Sequence, residues 1–187
     1  MKKHLLLLGL AMVIGLSGCG NKTTNEENHD VNNEPNHEDM EMEMNHSGSG
    51  EVPRNLKIAE NPKFKIGSEA IVEADHMKGM KGAVATIVGA YDTTAYVVSY
   101  TPVTGGERVE NHKWVIQEEI KDADGKTMDI GAEVTLEADH MKGMKGALAK
   151  IESAEKTTVY MIDYTPTTGG EKVTNHKWVT ESELSAK

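Results

Sequence analysis

Residues 67–120 align with residues 131–184 at a constant offset of 64, without a gap, and 33 of the 54 pairs are identical. No other feature restricts the fold as strongly. The chain must build one unit of 54 residues twice. A unit that small buries only a modest core by itself. Aromatic residues make up 4% of the chain, so each core is small as well. Packing one copy against the other is the expected aid. The link between copies, residues 121–130, is short and carries the turn signal Asp124-Gly125.

Each unit reads as β. In the first copy, residues 69–73 (EAIVE) form a short strand, followed by a glycine-bearing loop. Residues 83–90 (AVATIVGA) alternate in polarity, and residues 96–100 (YVVSY) are β-branched and aromatic, so two further strands are expected there. Residues 102–106 (PVTGG) are read as a hairpin turn and residues 108–115 as a returning strand. Short strands separated by glycine turns predict an all-β architecture of two tandem SH3-like small barrels, one per copy, at residues 66–122 and 130–187. That is an analogy of pattern and carries no function by itself.

The copies are preceded by two segments of different character. Lys2 and Lys3 open a leader whose apolar stretch, residues 5–16, is too short to span a bilayer comfortably. It closes with Leu16-Ser17-Gly18-Cys19, which has the form of a lipobox. The expectation is a lipoprotein signal over residues 1–18 and lipidation of Cys19, which would hold the mature protein at the extracytoplasmic face of the cell membrane. Cys19 is the only cysteine, so disulfides, thiolate metal sites and a cysteine nucleophile are excluded. Residues 19–65 are polar and acidic at first and read as a disordered tether, with residues 47–50 (SGSG) as a linker.

Methionine and histidine stand out against this background. Within the tether, Met40, Met42 and Met44 alternate with glutamates beside His46, with no apolar neighbours to bury them. Thioether is a soft donor that selects Cu(I), and imidazole suits copper too. Magnesium or calcium would gain nothing from methionine, and zinc would use the histidines alone. The phrase ADHMKGMKGA occurs identically at residues 74–83 and 138–147. It brings His76, Met77 and Met80, and again His140, Met141 and Met144, within five residues of one another. These are candidate copper ligands. The competing reading has Met77 and Met80 plugging a core, since methionine fills irregular gaps well. His112 and His176, in the repeated NHKWV strand, are weaker candidates that would add a nitrogen if the strand end lies beside the Met loop. Trp114 and Trp178 are expected in the core.

A net charge of −10 argues against nucleic acid, which needs clustered lysine and arginine. No GxSxG, HExxH or P-loop pattern is present, and no enzymatic activity is expected. A second class of function is a structural or adhesion module that binds a cell-wall polymer through Lys78, Lys81, Lys142 and Lys145.

The lipobox, the His/Met-rich tether, the paired HMKGMKGA loops and the paired NHKWV strands together resemble the YdhK family of lipoproteins from Gram-positive bacteria. The resemblance runs through essentially the whole chain. It implies a duplicated SH3-like fold and, by the family's likeness to a copper-binding surface lipoprotein, extracellular sequestration of Cu(I) for copper tolerance. The residues matching the shared motifs are His76, Met77, Met80, His140, Met141 and Met144, with His112 and His176 behind them.

Overall fold

A computed structural model describes residues 47–187. Cys19, Met40, Met42, Met44 and His46 lie outside the described residues. The described chain is built from strands: β1 (Lys57–Ile58), β2 (Glu69–Val72), β3 (Val84–Tyr100), β4 (Val109–Ile116), β5 (Glu133–Thr135), β6 (Leu148–Tyr164), β7 (Val173–Thr180) and β8 (Leu184–Ala186). A 3-10 turn follows β4 at Gln117–Glu119 and another follows β7 at Glu181–Glu183. The strands form one eight-stranded sheet in the order β5-β6-β3-β2-β8, with β1 and β4 also on β3, and β7 on β6.

The spine is the antiparallel pair β3–β6. Each strand has 17 residues, and the register runs from Ala85 opposite Tyr164 to Tyr100 opposite Ala149. Thr93 faces Thr157. Those two are the same position in the two copies, so the pairing is self-complementary about that point, as in an isologous interface. Two separate strands were expected at residues 83–90 and 96–100. The chain instead stays extended through residues 91–95, because β-branched Thr93 and Thr94 suit a pleated surface and each finds a cross-strand partner, Thr157 and Lys156.

A strand that long cannot fold back into one small core. Its first half enters one and its second half the other. The first core packs Val72, Met80, Ala85 and Ile87 of the first copy against Tyr160, Ile162, Tyr164, Val179 and Leu184 of the second. The second packs Tyr96, Val98, Tyr100 and Val115 of the first copy against Leu136, Met144, Ala149 and Ile151 of the second. Each core therefore takes the front half of one copy and the back half of the other. This corrects the expectation of one barrel per copy at residues 66–122 and 130–187. The closing contacts obey the same exchange. β2 pairs with β8 (Val72 opposite Leu184), and Ile120 bridges Leu136 at the matching point of the other core. A third apolar cluster joins Trp114 and Ile116 of β4 to Trp178 of β7, with Ala95, Val97, Val159 and Met161.

Residues 47–65, expected as part of a disordered tether, are ordered. Leu56, Ala59 and Phe64 are buried, β1 pairs with β3, and Gly48 N–H donates to the Thr174 carbonyl at 2.8 Å. Three apolar anchors are enough to hold a polar stretch against the body.

Because both cores need both copies, the link between them is dispensable once folding is complete. Asp122, Asp124 and Gly125 are exposed there and take positive φ. A protease site inserted between Asp124 and Lys126 should be cut without separating the halves. Native size-exclusion chromatography should show one particle of unchanged size, and only denaturant should release two fragments.

Candidate functional site

The two ADHMKGMKGA loops are compact turns. In the first, Met80 N–H donates to the Met77 carbonyl (3.1 Å) and Gly82 N–H to the Val72 carbonyl (2.7 Å). Each loop then seats on the other copy. Thr167 N–H donates to the Gly79 carbonyl at 2.8 Å, and Val103 N–H to the Gly143 carbonyl at 2.9 Å. Gly79 has φ of 77°, and a Cβ there would meet Thr168 Oγ1 at 2.5 Å and Pro166 Cβ at 2.9 Å. Gly143 meets Thr104 and Pro102 in the same way. Only glycine fits such an approach at positive φ. The Thr-Pro…Gly-Gly segments, expected as turns alone, are thus also the seats for the loops.

The methionines divide by position. Met80 and Met144 are fully buried within the two cores, as the gap-filling reading expected. Met77 and Met141 are half-buried at the margins of those cores. The Tyr100 hydroxyl donates to Met141 Sδ at 3.9 Å. Lys78, Lys81, Lys142 and Lys145 are exposed.

Both histidines of the loops are anchored by a carboxylate from the 3-10 turn of the other copy. His76 Nε2 lies 2.6 Å from Glu183 Oε1. The second oxygen, Oε2, accepts Trp114 Nε1–H at 2.7 Å and Thr180 N–H at 3.0 Å. In the other site His140 Nε2 lies 2.8 Å from Glu119 Oε1. Glu119 Oε2 accepts Trp178 Nε1–H at 3.1 Å and Ile116 N–H at 3.2 Å. Burial pushes the Glu183 carboxyl up, but its hydrogen bonds from His76, Thr180 and Trp114 outweigh that and hold it below the usual carboxylate range. The remaining ring nitrogens, His76 Nδ1 and His140 Nδ1, are buried with no hydrogen-bond partner.

The strand end that carries His112 lies beside the Met loop of the second copy. The His112 ring centroid lies 6.3 Å from that of His140 in the second copy and 6.1 Å from Tyr100. His176 is buried beside Tyr164, their centroids 5.8 Å apart, against the core that holds Met80. The exchange of halves explains this, since β4 and β7 line the core opposite to their own Met loop. Each NHKW segment then serves both sites. On β4, His112 faces the His140 site while Trp114 supports Glu183 in the His76 site. Trp178 on β7 likewise supports Glu119. Asn111 and Asn175 take φ of 53° and 52°, and the peptide bonds before Trp114 and Trp178 are cis. Both indoles are buried, as expected.

Glu119 and Glu183 were not among the sequence candidates. Their signal was available: they are the one identical pair between the NHKWV strand and the end of the aligned copies. Among the described residues, no three His, Cys, Asp or Glu converge as a metal site. A tetrahedral zinc-type cluster of those residues is therefore not formed there. Each joint offers a fixed imidazole, with the Met77 or Met141 thioether at the margin of the adjoining core, and in the His140 joint a second imidazole, His112, lies on a facing strand.

Fold and site together define a duplicated all-β protein with two equivalent His–Glu–Trp joints, each made jointly by the two copies. The family described as "Protein of unknown function (DUF1541)" matches residues 66–117 and 130–181. The "Uncharacterized protein YdhK" of Bacillus subtilis (strain 168) is 64% identical over 189 residues, which cover 100% of this chain and 90% of that protein. The chain belongs to the YdhK (DUF1541) family. The crystal structure of the Bacillus subtilis ydhK protein at 2.00 Å resolution is similar with a TM-score of 0.75 and 71% identity, covering 78% of this chain and 99% of that one. The solution structure of the ydhK C-terminal domain matches with a TM-score of 0.63 and 74% identity, covering 66% and 93%.

The lowered Glu183 value fixes the sign of a pH effect. Its ionised form contributes stability that is present above the unfolded value near 4.5 and is lost as pH falls through the lower folded value. Urea unfolding of the wild type should therefore lose stability below about pH 4.5 more steeply than Glu183→Gln does. At neutral pH, Glu183→Ala should cost about 1–3 kcal/mol, because Trp114 Nε1–H and His76 Nε2 are left buried without their acceptor.

Proposed function

We propose that the protein binds Cu(I) at the two joints and sequesters it outside the cytoplasmic membrane, with lipidated Cys19 as the anchor and copper tolerance as the outcome. The observation that carries this reading is the buried, unpartnered Nδ1 of His76 and of His140, each on a ring whose Nε2 is fixed by a carboxylate. Ligand histidines are commonly held in this way, with the second nitrogen bound to a carboxylate that sets the tautomer and the ring orientation. An imidazole nitrogen buried and left without a partner is otherwise an uncompensated cost.

The donors fit a soft ion. Both oxygens of Glu119 and Glu183 are already engaged, so the available donors are imidazole and thioether, which suit Cu(I). Two imidazoles that share one ion through bonds of about 2 Å have ring centroids roughly 5–6 Å apart, close to the 6.3 Å between His112 and His140. We assign His140, His112 and Met141 to one ion, and His76, His176 and Met77 to the other. Met80 and Met144 serve the cores. The Met40, Met42, Met44 and His46 group of the tether adds further soft donors in this reading. Each shared core, built from parts of both copies, resembles an SH3-like barrel in the 3-10 turn that follows β4 or β7.

The test is a Cu(I) titration of the chain without its leader, in competition with a chromophoric Cu(I) chelator. Glutamine places an amide nitrogen near the position of Nε2 and has no counterpart of Nδ1. His76→Gln and His140→Gln should each remove one tightly held ion, and the double variant both, while urea stability changes by no more than about 1 kcal/mol. Met80→Leu and Met144→Leu should leave the stoichiometry unchanged. Wild-type protein that never competes with the chelator overturns the proposal. Retention on purified cell wall that is insensitive to Met77→Leu and Met141→Leu would favour the adhesion class instead.

A further inference from the structure

The segment that leads into each copy is itself repeated, but its charge is not. Phe64 N–H donates to the Tyr160 hydroxyl oxygen at 3.4 Å, and Met128 N–H to the Tyr96 hydroxyl oxygen at 3.0 Å. Donors and acceptors both differ by the offset of 64, so residues 57–66 and 121–130 are structural counterparts. Ala59 and Ala123 are buried alike, and Ile66 and Ile130 are exposed alike. The exposed polar positions diverge. Over residues 57–66, Lys57, Lys63 and Lys65 stand with one carboxylate, Glu60. Over residues 121–130, Lys121 and Lys126 stand with Asp122, Asp124 and Asp129. Ile58 occupies the place of Asp122, and Lys65 that of Asp129.

The basic segment is held firmly at both ends. Lys57 and Ile58 pair with Asp92 and Tyr91 on β3, Ala59 N–H donates to the Ala90 carbonyl at 3.0 Å, and Gly67 N–H donates to the Ile87 carbonyl at 2.8 Å. Phe64 anchors the middle in the first core. From that base Lys57, Lys63 and Lys65 are exposed, with Ile58 66% and Ile66 61% accessible. Lys63 Nζ stands 5.2 Å from the centroid of the Phe64 ring. Beside them opens a cleft of about 420 Å³, lined by Lys63, Phe64, Lys65, Ser68 and Lys187 with Glu69. Lys187 Nζ donates to Glu69 Oε2 at 2.8 Å, so that carboxylate is already paired. One exposed isoleucine is ordinary on a protein surface. Two on a single anchored segment, set among four lysines at a cleft, form an interfacial pattern of apolar and cationic side chains.

We propose that residues 57–66, with Lys187, are a docking face for a membrane surface that carries anionic phospholipid. The lysines take headgroup phosphates, and Ile58 and Ile66 enter the boundary between headgroups and acyl chains. The isoleucines favour a lipid surface over a soluble polyanion, which offers them nothing apolar. The lysines favour an anionic surface over a neutral one. A chain of net charge −10 is repelled by such a surface as a whole, so attachment requires a local exception. Screening over about 8–10 Å lets the near lysines outweigh distant carboxylates. The counterpart segment, with its three aspartates, is excluded from the same role, so the chain docks through one side of its pseudo-symmetric body. The contact needs no metal and no lipid on Cys19. Where lipidated Cys19 already holds the chain at the membrane, even a weak contact is populated by effective concentration.

The test is co-sedimentation of the metal-free chain without its leader, at low ionic strength, with vesicles of phosphatidylcholine alone or mixed with phosphatidylglycerol. The wild type should partition onto the mixed vesicles and not onto phosphatidylcholine, and added salt should release it. Each lysine near an anionic surface contributes roughly fivefold to partition, so Lys63→Glu with Lys65→Glu should reduce binding at least tenfold. Ile58→Ser with Ile66→Ser should reduce it several-fold. The symmetry-related pair Lys121→Glu with Lys126→Glu should leave it within about twofold. All six positions are exposed, and a wild-type urea transition in each variant would confirm that the cores are intact. Absence of wild-type binding to the mixed vesicles, equal binding to phosphatidylcholine, or equal losses from the two lysine pairs overturns the proposal. Binding that survives the isoleucine changes and is competed away by soluble poly(glycerol phosphate) overturns the membrane as partner and makes the face a polyanion site.

Discussion

The antiparallel pairing of β3 with β6 is the constraint from which the rest of the molecule follows. Fifteen cross-strand pairs tie the copies together, and the pairing is symmetric about Thr93 and Thr157. Once two strands of 17 residues lie side by side, neither copy is able to close a core around its own strand. Each half-strand accepts whatever the partner brings, so each core is shared. The closing contacts, Val72 with Leu184 and Ile120 with Leu136, are consequences of that register. A slip of one residue would turn Ile87, Tyr96, Ile151 and Tyr160 out of their cores, since side chains alternate between faces.

The same exchange explains why each joint is polar and yet buried. A carboxylate taken out of water is expensive unless its oxygens are satisfied. Glu119 and Glu183 meet that condition with an imidazole, an indole N–H and a backbone N–H each, and no single copy supplies all three. In the His140 site the imidazole and the Trp178 indole come from the second copy, while Glu119 and Ile116 N–H come from the first. A network completed across the joint is a specificity device. Pairing in another register would strand a buried carboxylate, an error costing more than the network contributes when correctly formed.

Much of this was legible in the sequence at the level of elements. The period-two alternation at residues 83–90, the β-branched run at residues 96–100 and the glycine turns identified strands and loops, and the gapless offset exposed the duplication. Burial of Met80 and Met144, as against the marginal positions of Met77 and Met141, was not readable, because every methionine in the repeated phrase has the same local context in both copies. Connectivity was the larger omission. Residues 91–95 carry Asp92 and a threonine pair, which read as a break between two strands. Whether the chain bends there depends on a partner 64 positions away. That single ambiguity left open which loop His112 lies beside, and the role of Glu119 was hidden with it. Carboxylates in a 3-10 turn resemble solvent-facing charge until the opposite copy is in place.

Self-complementary pairing is the geometry of a two-fold homodimer, so two separate copies of the unit would meet the demands of the spine equally well. Joining them in one chain changes what is possible. A symmetric dimer presents two identical edges, and a segment attached ahead of each copy would cover both or neither. In the fused chain only one such segment precedes the first copy among the described residues, and residues 47–51 of it bond to β7. The short link of residues 121–130 stands where a second such segment would have to begin, and it is already committed to joining the Ile120–Leu136 bridge to β5. Duplication within one polypeptide thus keeps the symmetric spine and the paired His–Glu–Trp joints while letting the two copies carry different neighbours among the described residues. Ser47, Gly48 and Glu51 mark that difference at β7 with one main-chain hydrogen bond and three that involve a side chain, outside either core.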